Sequence, residues 1–259
     1  DHLDEVVAAE KKAIAQIEKA IADDGDDIAA IILEPVQGEG GDNHFRKEFF
    51  QELRRICDEN DIILIFDEVQ TGVGITGKMW AHQNYGVEPD IFCFGKKTQV
   101  CGIAASDRLN EIDSVFKISS RINSTWGGNL IDMVRAQKIF EVIEEENLVE
   151  NAAKMGKLLQ DTLKGFEKKY PGFVSNVRGL GLFCAFDLPD SACRDTFITT
   201  TMKEGLIVLK CGPNTIRFRP PLNVSAEEIE KAAAILDKAL AESDKPVCDG
   251  DTSGAVHTE

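Results

Sequence analysis

The chain is short of several features, and each shortage argues against a class of function. No run of about 18 apolar residues occurs, so no membrane-spanning helix is expected. Positive charge is scarce: 29 Lys and Arg stand against 45 Asp and Glu, for a net charge of −16. That balance argues against nucleic acid and anionic membranes as partners, while leaving room for a local basic pocket. Histidine is rare, and His2, His44, His82 and His257 share no ligand spacing, so no metal is expected. Cysteine pairs at metal spacing are missing too. The seven cysteines are odd in number and several sit in apolar runs, as reduced thiols of a cytoplasmic protein do. No signal-peptide pattern and no initiator Met opens the sequence.

What is present is ordinary globular material. The 259 residues are 43% hydrophobic and 29% charged, enough for one or two domains with a sizeable core. The stretch from Ile62 to Gly102 organises the rest. Ile62-Ile63-Leu64-Ile65-Phe66 is a buried strand of the kind a parallel sheet uses, and it ends in Asp67-Glu68-Val69-Gln70-Thr71-Gly72. A second apolar run, Ile91-Phe92-Cys93-Phe94, ends in Gly95-Lys96-Lys97. Strand carboxyl ends are where open α/β sheets bind ligands. A buried carboxylate can keep a pyridine nitrogen protonated, and a lysine can form a Schiff base with an aldehyde, the two demands of pyridoxal 5'-phosphate. The plainer reading of these residues is a charged strand end and a solvated turn.

Around this stretch the pattern alternates strands and helices, an α/β arrangement. Residues 3–22 have helical spacing, 28–33 read as a buried strand, 47–60 as a helix. Gly38-Glu39-Gly40-Gly41 is a loop whose glycines allow close approach to a ligand, with Glu39 a surface acid on the plainer reading. Residues 100–118 read as two strands with a short excursion between them. Helical patterns run over 130–146 and 148–169, then strands at 173–174, 182–186, 206–209 and 215–218 around a helix at 192–204. Ser225-Ala226-Glu227-Glu228 is a capping box opening the last helix. Asn123-Ser124-Thr125 precedes Trp126-Gly127-Gly128-Asn129 as either a phosphate site or a plain helix cap. Arg217 sits on a short strand, as its polar face or as a carboxylate clamp. Boundaries are expected at 1–146, 147–243 and a disordered tail, 244–259.

Gly72-Val73-Gly74-Ile75-Thr76-Gly77-Lys78 matches the glycine and lysine spacing of a nucleotide phosphate loop. Met79 stands where that motif needs Ser or Thr, and the loop follows its acidic strand instead of preceding it. An ATPase is thus a distant alternative, and a chain keeping only an interaction surface is a third.

Five ordered motifs carry a resemblance that covers residues 1–242. They are Glu34-Pro35-Val36-Gln37-Gly38-Glu39-Gly40-Gly41, the 66–96 stretch, Asn123-Ser124-Thr125-Trp126-Gly127-Gly128-Asn129, Arg178-Gly179-Leu180-Gly181-Leu182 and Ile216-Arg217-Phe218-Arg219-Pro220-Pro221. On them the chain resembles the class III (ornithine/GABA-type) aminotransferases. Gly95-Lys96-Lys97-Thr98-Gln99-Val100-Cys101-Gly102 and Gly40-Gly41-Asp42-Asn43-His44-Phe45-Arg46 are most similar to the branch acting on the ε-amino group of L-lysine. The resemblance implies fold type I: an incomplete large domain with a mostly parallel sheet, and a small α+β carboxyl-terminal domain. It implies pyridoxal 5'-phosphate held by Lys96, with Asp67 on the ring nitrogen, Val69 on the ring face and Gln70 on the ring hydroxyl. It implies a homodimer in which Thr125 reaches the cofactor phosphate of the other subunit. Asn123 would contact substrate. Arg217 would hold a 2-oxoglutarate carboxylate, gated by Glu39. GABA or ornithine as donor is the near alternative to L-lysine. The resemblance also implies that roughly 200 further amino-terminal residues, more than a typical domain, carry the phosphate loop, the ring-stacking aromatic and a second substrate arginine.

Overall fold

The computed structural model describes residues 2–118, 120–122 and 125–243. Helix α1 (Leu3–Asp24) comes first, favoured by its alanines and by apolar residues at helical spacing. Its Ile14, Ile17 and Ile21 rest on the first core, and its Glu10 pairs with Arg46 at 2.6 Å. Strand β1 (Ala30–Leu33) follows, then a hairpin of β2 (Val36–Gln37) and β3 (Asn43–His44). Helix α2 (Lys47–Glu59) leads to β4 (Ile63–Asp67). A buried loop, the single helical turn α3 (His82–Tyr85), β5 (Ile91–Phe94) and β6 (Gly102–Ala105) complete this part.

The sheet runs in the order β1-β4-β5-β6. β1 and β5 lie parallel to β4, whereas β6 returns antiparallel on β5. Helix α2 is the crossover, so the carboxyl ends of β1, β4 and β5 share one edge. It buries Phe50, Leu53, Ile56 and Cys57, spaced for one helical face, over Leu64 and Phe66. Each such side chain contributes roughly 1.5–3 kcal/mol on burial. Asp90 fastens the sheet: its Oδ2 accepts from Leu64 N at 2.8 Å, Arg54 Nη1 at 3.0 Å and Arg108 Nη1 at 3.2 Å.

Helices α4 (Leu130–Glu145) and α5 (Leu148–Lys169) lead into a second, antiparallel sheet. It comprises β7 (Ser175–Leu180), β8 (Phe183–Asp187), β9 (Leu209–Cys211) and β10 (Thr215–Phe218), in the order β7-β8-β10-β9. Helices α6 (Ser191–Lys203) and α7 (Ala226–Ser243) pack with α5 around Leu163, Leu182, Phe183, Phe186, Phe197 and Leu236. Val36 and Ile75, from the first part of the chain, are buried in this same core. The capping box forms: Ser225 N donates to Glu228 Oε2 at 2.8 Å, and Glu228 N donates to Ser225 Oγ at 3.2 Å.

Four strand expectations need correction. β1 is an edge strand, not a buried one, and Ile32 is 62% exposed. Only β6 forms within 100–118, because Asp107, Asn110 and Asp113 favour turns after it. β7 starts at Ser175, because Val174 N closes back on Tyr170 O at 3.0 Å. β9 starts at Leu209, because Leu206 N still satisfies Thr201 O at the end of α6. The tail at 244–259 lies outside the described residues.

The Gly72–Lys78 segment is no phosphate cradle. Residues 71–76 are buried, Gly74 N is spent on Met79 O and Gly77 N on Gly74 O. Gly77 packs on Ala153 of α5, and Leu182 N donates to Ile75 O at 2.8 Å. The four-residue α3 that follows is too short to offer the helix terminus such a loop needs.

Candidate active site

The site is built where β4 and β5 end together. Asp67 is the last residue of β4, in register with Cys93 of β5. Its Oδ1 accepts from Val69 N at 3.0 Å, which turns the chain away from the sheet. The neighbouring acid serves the fold instead. Glu68 is buried and accepts from Ala81 N at 2.5 Å and His82 N at 2.9 Å, with His82 Nδ1 at 2.8 Å. Asp67 faces a cleft of about 360 Å³ that it shares with Glu34, Gln37 and Phe45.

After β5 the chain turns sharply. Lys96 adopts φ +53° and is exposed. Gly95 leaves no space for a side chain, since a Cβ there would stand 2.9 Å from Cys101 Sγ and 3.6 Å from Val69 Cγ1. Lys97 points back and donates to Gln70 O at 2.9 Å. Burial pushes its pKa down to about 8, with Arg219 and Lys96 adding repulsion.

A cavity of about 1040 Å³ opens between this turn, α4 and the second sheet. Lys96, Lys97, Gln70, Glu39, Arg217 and Arg219 all line it. Glu39 comes from the tip of the β2–β3 hairpin and Arg217 from β10, so two separate parts of the fold meet here. Arg217 Nη1 lies 2.8 Å from Glu39 Oε2, outside hydrogen-bond direction; Nη1 and Nε find no hydrogen-bond partner among the described residues. That is the state of a guanidinium with donors to spare for a carboxylate.

The hairpin tip is anchored to the second sheet. Gly212 N donates to Glu39 O at 3.0 Å. Arg178 donates to Gly41 O at 2.6 Å, to Asp42 O at 2.9 Å and to Asp187 Oδ1 at 2.9 Å. Arg219 Nη2 donates to Asp42 Oδ1 at 2.5 Å. Asp42 is fully buried at φ +51°, and burial pushes its carboxyl up despite the facing guanidinium.

Of the sequence-predicted residues, the structure brings Glu39, Gln70, Lys96 and Arg217 into one cavity. Asp67 opens instead into a separate cleft that shares no lining residue with this cavity, and Val69 lies beside Gly95. Thr125 is exposed in the turn before α4 and does not line the cavity. Asn123 lies outside the described residues. Sequence reasoning assigned no role to Arg178, Asp42 or Arg219. All three stood inside quoted motifs, but only the fold reveals what they hold.

The model for class-III aminotransferases matches residues 1–240. The chain belongs to the class-III aminotransferase family. It is 52% identical over 236 residues to the L-lysine-epsilon aminotransferase of Mycobacterium tuberculosis, covering 91% of this chain and 53% of that protein. The mitochondrial 4-aminobutyrate aminotransferase of Mus musculus is 39% identical over 197 residues, covering 75% of this chain and 38% of that protein. The solved lysine aminotransferase of M. tuberculosis superimposes with a TM-score of 0.89 at 52% identity, over 92% of this chain and 55% of that one. This class-III chain thus spans about half the length of the relatives it matches.

Proposed function

We propose that this chain is part of a pyridoxal 5'-phosphate-dependent aminotransferase that moves the ε-amino group of L-lysine to 2-oxoglutarate. The products are 2-aminoadipate 6-semialdehyde and glutamate. The observation that carries the reading is the single cavity shared by Lys96, Gln70, Glu39 and Arg217. The lysine-specific relatives support the choice of donor.

The residues present fit the cofactor. Primary amines, a carboxylate and a side-chain amide gather at the strand ends, and Arg217 Nε and Nη1, without a hydrogen-bond partner among the described residues, suit a substrate carboxylate. When bound, the cofactor supplies an aldehyde for an amine and a protonated ring that draws electron density from the reacting carbon. Lys96 would hold it and, once displaced by substrate, move the proton at that carbon. Lys97 is less suited, because its amine is occupied by Gln70 O. Asp67 would keep the ring nitrogen protonated, Val69 would pack on the ring and Gln70 would bond its hydroxyl. Arg217 would bind 2-oxoglutarate when Glu39 swings away. Thr125, which does not line this cavity, would serve the phosphate of a second subunit in a cytoplasmic homodimer, and Asn123 would contact substrate.

The test is a covalent map. The full-length protein is loaded with pyridoxal phosphate, reduced with borohydride and digested for mass spectrometry. Label on Lys96 supports the reading, label on Lys97 moves the role by one residue, and no label overturns it. Parallel turnover with L-lysine, ornithine and 4-aminobutyrate then separates the donors.

A further inference from the structure

Two guanidinium groups enter this cavity from positions two residues apart, Arg217 and Arg219. Their partners differ. Arg217 faces Glu39, an acid with 73% of its side chain exposed and free to move. Arg219 faces Asp42, whose side chain is 0% exposed. Arg219 is held on other sides too. Its Nη1 donates to Phe218 O at 2.8 Å, and its guanidinium carbon lies 3.1 Å from the Phe183 ring centre. Its Nε is buried without a hydrogen-bond partner among the described residues. One arginine is thus gated and the other is locked.

We propose that Asp42 is a specificity-determining positioning residue that withholds Arg219 from the carboxylate cavity, leaving Arg217 as the cation this wall offers to substrate. The inference rests on Arg217 being a carboxylate site, as proposed above. Its physical basis is the cost of an unpaired buried charge. With Asp42 ionised, Arg219 is neutralised inside the protein. Without that charge the guanidinium must find another anion, and the cavity it already lines is open to one. A ligand with two carboxylates gains a second partner there, and a ligand with one gains little. The backbone also suits an acidic residue at this place, since Asp and Asn tolerate φ near +51° better than most side chains. Asp42→Asn therefore removes the charge and keeps the turn.

The test is calorimetric binding of two unreactive probes, glutarate and butyrate, to the full-length protein. In Asp42→Asn, glutarate binding should tighten at least about five-fold while butyrate changes less than two-fold, a difference that charge-assisted hydrogen bonds readily supply. Adding Arg219→Gln to that variant should return glutarate to its original affinity. Unchanged glutarate binding in Asp42→Asn, or parallel weakening of both probes, overturns the inference. If Asp42→Asn does not fold, single variants decide. Arg219→Gln should leave glutarate binding within two-fold, whereas a loss as large as that in Arg217→Gln shows Arg219 already at work and overturns the inference. Glutarate binding that survives Arg217→Gln removes the carboxylate-site reading itself. Loss on Arg217→Gln with no gain on Asp42→Asn removes only the role of Asp42.

Discussion

Arg217 and Glu39 meet at 2.8 Å across the junction between the two sheets, the arginine 14% exposed and the acid 73% exposed. Such a half-open ion pair is worth roughly 0.2–1 kcal/mol, so it can be exchanged for a substrate carboxylate at little cost. Glu39→Gln should leave Arg217 permanently available. The half-reaction with 2-oxoglutarate should then show a KM about two- to five-fold lower, and the lysine half-reaction should slow. Single-turnover kinetics of each half, followed by cofactor absorbance, checks this. Equal rates and KM values in both halves would remove the gate.

Lys97 gives a pH signature. Its pKa falls from the ordinary lysine value to about 8, chiefly through burial. A base with a lowered folded pKa is protonated in the unfolded chain before it is protonated in the native one. Between pH 8 and about 10.5 the unfolded state holds more protons, so native stability rises with pH across that window. Lys97→Met lacks this group. The wild type should gain on the order of 3 kcal/mol relative to Lys97→Met between pH 8 and pH 10.5, read by urea unfolding at a series of pH values. A flat difference would place the ammonium in water.

Asp90 tests the frame beneath the site. Burial opposes its charge, but Leu64 N–H, Arg54 and Arg108 outweigh that cost and hold its pKa below the usual carboxylate value. Its contribution is therefore present above the unfolded pKa and is lost as acid protonates the folded group. Asp90→Asn removes the buried anion that Arg54 and Arg108 share, leaving them Asp58 and Asp61 nearer the surface, and a loss of about 2 kcal/mol in urea unfolding near pH 7 is expected. The loss should begin to shrink below about pH 4, where the unfolded chain takes up a proton that the folded carboxylate still refuses, and should vanish only in stronger acid that protonates the folded group as well.

What the sequence revealed about this molecule, and what it concealed, follows from the range of the interactions. The apolar run before Asp67, the helical spacing of Phe50, Leu53 and Ile56, and the Ser225–Glu228 box are local patterns, and each became the element expected. Lys96, Gln70, Glu39 and Arg217 were legible through family motifs, and the fold places them around one cavity. Asp42 was not legible, because its partner Arg219 lies 177 residues away and an acid after Gly-Gly looks like surface loop. Gly72–Lys78 offered a false match for the converse reason. Its glycines satisfy a phosphate-loop spacing locally but serve tertiary contact with α5 and Leu182. β1 looked buried because apolar composition reports that a strand sits in a sheet, not whether both faces are covered.

The sharpest packing test is a pair of glycines treated alike. Gly181, between β7 and β8, has φ +58°, and a Cβ there would lie 2.4 Å from Thr76 C and 2.5 Å from Ile75 O. Both atoms are backbone of the buried loop that follows Asp67 and Gln70, so they cannot yield without moving that loop. Gly181→Ala should cost at least about 3 kcal/mol, from overpacking together with left-handed strain. It should also weaken pyridoxal phosphate binding, because the displaced loop continues into the site. Gly165 lies in the exposed face of α5 with nothing within 4 Å of an added Cβ. Gly165→Ala should stabilise the protein by roughly 0.5–1 kcal/mol, through lower entropy of the unfolded chain and better helix propensity. Thermal unfolding and cofactor titration of the two variants decide the matter. If Gly181→Ala is tolerated like Gly165→Ala, the β7–β8 turn does not bear on the loop after Asp67, and the coupling between second sheet and site must run through the hairpin contacts of Arg178, Gly212 and Arg219.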